Sequence, residues 1–167
     1  MEIKRGKAFK FGDGISTDHI APGRLFHLRS NLEEFSKHVL EDADPEFASK
    51  MQKGDFVVAG NNFGLGSSRE HAPQIIKIAG VGAVIAKSFA RIFYRNAINI
   101  GLLLIECDTD KIDAGDELEL DVKNGILKDV TKNVEIKITP LPDVMIKLLG
   151  DGGLIEHLKK HGDFSLV

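Results

Sequence analysis

The chain has 167 residues, of which 43% are hydrophobic and 28% are charged, and its formal net charge is −3. This composition is typical of a globular protein, and we expect one domain over residues 1–167; collagen-like and intrinsically disordered proteins are excluded. No window contains the roughly 18 apolar residues that a membrane-spanning helix needs. The N-terminal stretch MEIKRGKAFKFGDG lacks the apolar core of a secretory signal, so we expect a cytoplasmic protein.

Charge and metal-ligand content argue against two further classes of function. The 22 basic and 25 acidic residues form no run of like charge, so neither nucleic acid nor a membrane surface is an expected partner. Cys107 is the single cysteine, whereas an iron–sulfur cluster needs about four thiolates. The six histidines include no H-E-x-x-H motif, and we expect no comparable ligand pair on one helical face. Any metal chemistry is therefore expected to come from another chain.

The first third of the chain is predicted to hold one strand, a polar loop and two helices. Residues 2–11 precede a Gly-Asp-Gly turn and are predicted to form a strand. Residues 16–29 have neither helical nor strand periodicity and are rich in charged and histidine side chains, which is typical of a functional loop. Ser30 and Glu33 form an S-x-x-E capping box before apolar residues at helical spacing, and Pro45 begins a second, shorter helix.

The middle of the chain alternates short apolar runs with helical stretches. The apolar runs cover residues 55–60, 82–86 and 102–106, and the helical stretches cover residues 73–79 and 89–96. Continuous apolar strands that alternate with helices predict a parallel β-α-β-α-β unit covered on both faces.

The last third of the chain has the alternating pattern of an antiparallel sheet. Residues 117–122, 126–130 and 134–139 are separated by short turns rich in Lys, Asn and Gly, which predicts a meander of three strands. Two helices are predicted to follow, over residues 142–149 and 154–160, with a Gly-Gly break between them. The fold class is therefore α/β, with a parallel unit, a C-terminal antiparallel meander and helices.

The most informative stretch is GNNFGLGSSREH, residues 60–71, which leaves a buried strand and enters a helix. Open α/β sheets bind ligands at this kind of position. Ser67 and Glu70 form a second S-x-x-E box, which predicts free helix-end N–H groups facing a ligand. Arg69 adds a guanidinium fork that suits a carboxylate or a phosphate. We therefore expect an anionic ligand here.

Composition leaves three interpretations of this stretch open. The first is a tight structural turn in which Arg69 is a solvated charge. The second is a nucleotide-binding module, because Gly64 and Gly66 begin a G-x-G-x-x-G motif; however, Arg69 stands in place of the third glycine, and no acidic residue follows at the expected position. A P-loop is excluded because the stretch lacks Gly-Lys-Ser/Thr. The third is a catalytic serine, Ser67, at a helix N-terminus beside an arginine.

Three motifs in chain order resemble the small subunits of two-subunit dehydratases of the aconitase superfamily, which include the 3-isopropylmalate dehydratases. These motifs are FGDGISTDHIAPG, GNNFGLGSSREHAP and AVIAKSFARIFYRNAINIGL. The resemblance covers at least residues 8–106. It implies the aconitase swivel domain, a layered β/β/α fold, and a hydro-lyase that works only with a large subunit carrying a [4Fe–4S] cluster. The single Cys107 agrees with that division of labour.

The resemblance also implies roles for individual residues. Ser67 would be the base that removes, and later returns, a proton on the carbon next to a carboxylate. Asp18 would be a buried active-site carboxylate that positions an arginine or a histidine of the partner. His19 and His71 would support the loop through hydrogen bonds. The implied substrate-binding residues are Arg69, Arg29, Ser68 and Gly66.

The side group of the substrate is expected to meet residues 25–30. Leu25, Phe26 and Leu28 would accept an isopropyl or methyl group, which favours 3-isopropylmalate, an intermediate of leucine biosynthesis, and next 2,3-dimethylmalate. If Arg29 points at the side group rather than at a shared carboxylate, a third carboxylate would fit, and the substrate would be homocitrate or homoaconitate.

Overall fold

The computed structural model describes residues 2–162, so residues 1 and 163–167 of the predicted domain lie outside the described part. Seven strands form one mixed sheet. In chain order they are β1 (Lys4–Lys10), β2 (Phe56–Val58), β3 (Ala83–Ala86), β4 (Leu104–Glu106), β5 (Glu117–Asp121), β6 (Ile126–Asp129) and β7 (Val134–Lys137). Their order across the sheet is β4-β3-β2-β1-β5-β6-β7.

The helices lie between and after these strands. They are α1 (Thr17–Ile20), a 3-10 helix (Gly23–Ser30), α2 (Leu32–Ser36), α3 (Phe47–Lys50), α4 (His71–Ala79), α5 (Arg91–Ile100), α6 (Asp143–Gly150) and α7 (Leu154–His161). Among residues 2–162, none of them has the length and apolar character to cross a membrane.

The parallel half of the sheet confirms the predicted β-α-β-α-β unit. Strands β1, β2, β3 and β4 pair in parallel, with α4 and α5 as the crossovers between β2, β3 and β4. Successive residues of a strand point to opposite faces. Accordingly, Val57 and Val84 belong to one buried core, whereas Phe56, Val58 and Ile85 belong to the other. Because helices or loops cover both faces, these strands are continuous apolar runs.

Strand β1 joins the parallel half of the sheet to the antiparallel half. Residues 8–10 pair in parallel with β2, and residues 4–7 pair antiparallel with β5. Strands β5, β6 and β7 then continue as the predicted antiparallel meander. One strand therefore carries both pairing modes along its length.

The first third of the chain differs from its prediction. Residues 16–29, expected to be an irregular loop, contain α1 and most of the 3-10 helix. The capping box at Ser30 does not form; the N-cap of α2 is Asn31, whose side chain accepts the N–H of Glu34 at 3.2 Å. Helix α2 ends early because the backbone of Leu40 is left-handed, with φ of 57°, and its N–H bonds the carbonyl of Ile20.

The helix predicted to begin at Pro45 also starts later. Helix α3 begins at Phe47 and follows a turn in which the side chain of Asp44 accepts the N–H of Glu46 at 3.0 Å. Aspartate favours such local bonds to the backbone over a continued helix. The ring of Phe47 is fully buried against Phe9 and Phe11. The turn at Asp44 and the burial of this ring therefore both accompany the later start of α3.

A buried pair of carboxyl groups lies between β5 and β6. Asp116 and Asp129 are 5% and 1% exposed, and Lys132 Nζ lies 3.2 Å from Asp116 Oδ2. A hydrogen bond from Asp129 keeps the pKa of Asp116 below its usual value, while burial raises the pKa of Asp129. The two groups therefore share one proton to a higher pH than ordinary aspartates would.

We expect Asp129→Asn to gain stability relative to the parent protein as pH rises from 4 to 8. The raised pKa of Asp129 stabilises the parent below the ordinary aspartate pKa, and this stability is lost as pH rises through the raised value. The asparagine amide donates to Asp116 at every pH. Thermal melts across this range should show the difference in melting temperature growing by a few °C.

Asp121→Asn is the matched control. Asp121 is half-buried at the end of β5, and hydrogen bonds from Asn124 lower its pKa, so its stabilising effect is present above the ordinary aspartate pKa. This variant is expected to lose stability toward neutral pH. Melting temperatures of Asp129→Asn that run parallel to the parent at every pH would contradict the shared proton.

Candidate active site

The stretch of residues 60–71, here called the serine loop, is built on glycines that no other residue could replace without strain. Gly64 and Gly66 have φ of 87° and 108°, a region that residues with a Cβ rarely adopt. A Cβ on Gly64 would also collide with the ring of Phe93 on α5. The bare side of Gly64 therefore faces a core helix and not a ligand.

Residues 13–18 pair with the serine loop and carry the aspartate of the first motif. The N–H of Gly64 donates to the carbonyl of Ile15 at 2.7 Å, and the N–H of Thr17 donates to the carbonyl of Leu65 at 2.8 Å. The buried hydroxyl of Thr17 donates to the carbonyl of Ser67 at 3.0 Å and lies 3.5 Å from Ser67 Oγ. The backbone of Ser67 is therefore fixed while its hydroxyl remains exposed.

Arg69 is held by two contacts across the paired loops. Its Nη1 donates to Asp18 Oδ1 at 2.9 Å and to the carbonyl of Ala21 at 2.8 Å. The N–H of Gly23 donates to the same oxygen of Asp18 at 3.0 Å, and a Cβ on Gly23 would lie 2.8 Å from that oxygen. Asp18 is thus placed where it can position an arginine.

The expectation that Asp18 is buried is wrong. Its side chain is 63% exposed, compared with 24% for Arg69. Asp18 lies on the one-turn helix α1 at the protein surface, and only its Oδ1 edge turns toward Arg69 and Gly23.

An open cavity of about 620 Å³ lies over the serine loop, with its lining residues drawn from two segments. They are Gly23, Phe26, Ser67, Ser68, Arg69, Glu70 and His71. Of the expected site residues, Ser67, Ser68 and Arg69 line this cavity and Asp18 contacts Arg69.

Two of the expected substrate-binding residues do not line the cavity. A Cβ on Gly66 would come within 3.2 Å of Thr17 Oγ1, so this glycine allows the close packing of the two loops. Arg29 is exposed, and its guanidinium stacks 4.3 Å from the centre of the Phe26 ring. Arg29 is therefore one residue removed from the cavity, behind an aromatic ring that does line it.

The second predicted capping box does not form either. Helix α4 begins at His71, its N-cap is Glu70, and no side chain caps it. The chain instead makes a tight turn in which the N–H of Arg69 donates to the carbonyl of Ser67 at 2.8 Å. Pro73, at the third helical position, has no N–H that a cap could accept. The positive end of α4 therefore opens uncapped on the cavity, which favours a bound anion.

The two histidines of the motifs differ in their surroundings. His19 supports its loop as expected, since its Nδ1 accepts the N–H of Ser16 at 2.9 Å and lies 2.8 Å from Ser16 Oγ. The expectation for His71 is wrong, because its Nε2 is buried and has no hydrogen-bond partner among residues 2–162. The His71 ring instead stacks on Phe35 at 5.4 Å and meets the Phe26 ring at 5.5 Å.

The pKa of His71 depends on its burial and on the charges around the cavity. Burial lowers its pKa, and the positive charges of Arg69 and Arg29 lower the pKa further. The positive charges of Arg69 in the cavity wall and of Arg29 behind Phe26 therefore outweigh the opposing charge of Glu70 at His71, which stays neutral to a lower pH than usual.

Three residues of the site were missed by sequence reasoning. Thr17 and Gly23 belong to the first motif, as Asp18 does, so membership of that motif is the sequence feature that could have indicated them. His71 was considered only for hydrogen bonding. No pattern in the sequence indicated that Phe35 of α2 would stack on it, since that contact depends on how two separate helices pack.

Two expectations about metal ligands, one on the histidines and one on Cys107, can be compared with the structure. Contrary to expectation, two histidines with the spacing of a ligand pair share one helical face: His157 and His161 are four residues apart on α7, with ring centres 4.5 Å apart. Cys107 does not suit an iron–sulfur cluster, because burial raises its pKa to about 12 and keeps it a thiol. One protonated sulfur cannot supply the thiolates of a cluster, so this chain's residues do not fit one.

Comparison with known proteins agrees with this architecture. The family model of the aconitase C-terminal domain matches residues 28–110. The chain is 63% identical to 3-isopropylmalate dehydratase small subunit 2 of Archaeoglobus fulgidus, covering 96% of this chain and 98% of that one. It is 63% identical to small subunit 1 of Thermotoga maritima, covering 98% and 99%. A crystal structure of 3-isopropylmalate dehydratase from Methanocaldococcus jannaschii matches with a TM-score of 0.91 at 46% identity, covering 96% of each chain.

We expect Arg69→Gln to raise the pKa of His71 without restoring its usual value. The substitution removes one of the two positive charges that disfavour protonation, but burial, the larger cause, remains. Titration of the His71 ring protons by NMR measures the change. Arg24→Gln is the control, since Arg24 pairs with Glu41 and Asp42 and has no effect on His71. An unchanged His71 pKa in Arg69→Gln would contradict the effect of the Arg69 charge on His71.

Proposed function

The chain belongs to the family of 3-isopropylmalate dehydratase small subunits, and we propose that it completes the active site of a hydro-lyase that interconverts 2- and 3-isopropylmalate in leucine biosynthesis. The observation that carries this proposal is the placement of Ser67 and Arg69 together in an open cavity at the uncapped N-terminus of α4. A hydroxyl group, a guanidinium and a helix end are suited to a carboxylate-bearing substrate with an acidic C–H bond.

Ser67 acts as the base in this proposal. Its Oγ takes the proton from the carbon next to a carboxylate when water is eliminated, and returns a proton when water is added back in the other orientation. A serine hydroxyl is a weak base in water, so its oxygen needs stabilisation as an alkoxide. The positive end of α4 and the charge of Arg69 supply a preorganised field of the required sign.

Arg69 binds a substrate carboxylate. Its Nη1 is already used by Asp18 and by the carbonyl of Ala21, which fixes the plane of the guanidinium before any substrate arrives. A preoriented fork loses less rotamer freedom on binding than a mobile one. Asp18 is accordingly a positioning residue that acts through Arg69.

A large subunit is the proposed partner, because the cavity of this chain is open and its serine is exposed. The partner would cover the cavity, exclude water and carry the [4Fe–4S] cluster that this chain's single thiol cannot hold. Such a cluster, held by the partner, would supply Lewis-acid chemistry for the hydroxyl group that leaves. We place the assembly in the cytoplasm, whose reducing conditions suit a free Cys107 thiol.

Phe26 supports 3-isopropylmalate as the substrate. Its ring is 42% exposed and lines the cavity, which gives a branched alkyl group an apolar surface. A methyl group would fill less of that surface, so 2,3-dimethylmalate ranks second. A tricarboxylate such as homocitrate would need Arg29 to leave its stack on Phe26.

The nucleotide-binding alternative has less support. A dinucleotide fingerprint uses its glycines to let phosphates approach the backbone. Here the bare side of Gly64 faces Phe93, and Gly66 packs on Thr17. Both glycines are therefore used for packing within the protein.

Reconstitution tests the proposal. The chain alone should not turn over isopropylmalate, and the chain combined with a cluster-bearing large subunit should. We expect Ser67→Ala to lower kcat of the assembled enzyme by about a thousandfold, in line with loss of a catalytic base. Stability should change by less than about 0.5 kcal/mol, because Ser67 is exposed and caps no helix.

Ser49→Ala is the matched control, since Ser49 bonds only the carbonyl of Glu46 within α3 and its turn. It should leave kcat unchanged. Near-normal turnover by Ser67→Ala with an intact partner would remove Ser67 as the base, and turnover by the chain alone would remove the two-subunit assignment.

Arg29→Ala distinguishes the substrates. If Arg29 grips a carboxylate that all substrates share, kcat/KM should fall about tenfold or more on isopropylmalate and dimethylmalate alike. We expect a loss on both substrates, because the guanidinium stacks on the Phe26 ring of the cavity wall, and its removal would disturb that wall for every substrate. Arg24→Ala, which removes an exposed arginine of the same 3-10 helix, is the control. A fall in kcat/KM on homocitrate alone would show that Arg29 binds the side group of the substrate. In that case 3-isopropylmalate would no longer be the favoured substrate.

A further inference from the structure

A compact cluster of ligand-type side chains lies where α6 meets α7, outside the cavity described above. Asp151 Oδ2 lies 2.7 Å from His157 Nδ1 and 3.1 Å from His161 Nε2. The three donor atoms all lie within 4.8 Å of one another. Neither the family resemblance nor the proposed reaction uses these residues.

We propose that Asp151, His157 and His161 bind a divalent transition-metal ion of the zinc type. Zinc takes imidazole nitrogen and carboxylate oxygen at about 2.0–2.2 Å, so the donors of a tetrahedral site are separated by about 3.4 Å. The donor pairs at 2.7 and 3.1 Å would need to open by about 0.7 and 0.3 Å to reach this separation. The ion would replace the protons that now bridge them.

The backbone holds these three residues in place without the ion. His157 and His161 are four residues apart on α7 and so share one face of the helix. Asp151 is brought back over that face by Gly152 and Gly153, whose φ values are 93° and 107°. A Cβ on Gly153 would come within 2.5 Å of the carbonyl oxygen of Asn99, so this turn is packed tightly against α5.

The burial of the three side chains suits a site with one open position. His157 is fully buried and Asp151 is 10% exposed, whereas His161 is 31% exposed. The solvent side of the cluster therefore leaves room for a water molecule as fourth ligand. Three protein ligands with one water is a usual arrangement for zinc.

The two oxygens of the Asp151 carboxylate have different partners. Lys160 Nζ lies 3.1 Å from Asp151 Oδ1, and the histidines use the other oxygen, Oδ2. The lysine orients the carboxylate, and its positive charge also lowers the affinity of the site for a metal cation.

Metal titration of the purified full-length chain tests the site. One equivalent of Co²⁺ should give the visible absorption of a four-coordinate ion, and Zn²⁺ should displace it. Zinc at about a hundredfold excess over its Kd should raise the melting temperature by roughly 5–10 °C. His161→Gln removes the most exposed ligand and is expected to weaken zinc binding tenfold or more.

His38→Gln is the matched control, since His38 is also partly exposed and its Nδ1 lies 3.0 Å from Glu41 Oε2. It should bind metal like the parent. Lys160→Gln is a second variant that keeps all three ligands and removes the opposing cation, so zinc affinity should rise at least twofold at low salt. Lys160→Gln still tests the site if His161→Gln does not fold.

Four results would overturn the proposal, three of them in the parent protein and in the variants of the site. These are no thermal shift and no cobalt spectrum at millimolar metal, binding by His161→Gln equal to that of the parent, and no gain in affinity in Lys160→Gln. Loss of binding in His38→Gln would also overturn it, since the ion would then lie elsewhere.

Discussion

The backbone pairing between residues 13–18 and the serine loop brings together groups that are 51 positions apart in the chain. Asp18 and Arg69 meet only because the N–H of Gly64 bonds Ile15 and the N–H of Thr17 bonds Leu65. Both segments follow parallel strands, β1 and β2, whose C-terminal ends meet at one edge of the sheet. Without this pairing, the carbonyl of Ser67 would lose its Thr17 donor and the loop would not hold Ser67 in place.

The sequence carries enough information for the strands but less for the helix starts. Continuous apolar runs and alternating runs have different periods, and each predicted strand follows one of them. The capping boxes predicted at Ser30 and at Ser67 do not form, and the reason differs between the two. A capping pattern does not say which of two adjacent residues caps a helix, and at α2 the side chain of Asn31, not that of Ser30, accepts the N–H of Glu34. Near Ser67, the deciding feature is Pro73 in the first turn.

The site shows the same limit of prediction. Motif resemblance indicated Ser67 and Arg69, and both line the cavity. It could not show that Arg29 stacks on Phe26, because this segment was expected to be irregular. In a 3-10 helix, side chains three residues apart eclipse one another, so positions 26 and 29 are brought face to face. Once the helix type is known, the stack follows from spacing alone.

The exposure of Asp18 bears on why a partner would be needed. An ion pair in which one side chain is 63% exposed is screened by water and contributes about 0–1 kcal/mol. A subunit that covered the cavity would move Asp18 and Arg69 into lower dielectric, where the same geometry interacts more strongly. In the proposed complex, the field at Ser67 would therefore be stronger than in this chain alone. The exposed ion pair costs this chain little energy, and the proposed reactive environment would be created when the subunits meet.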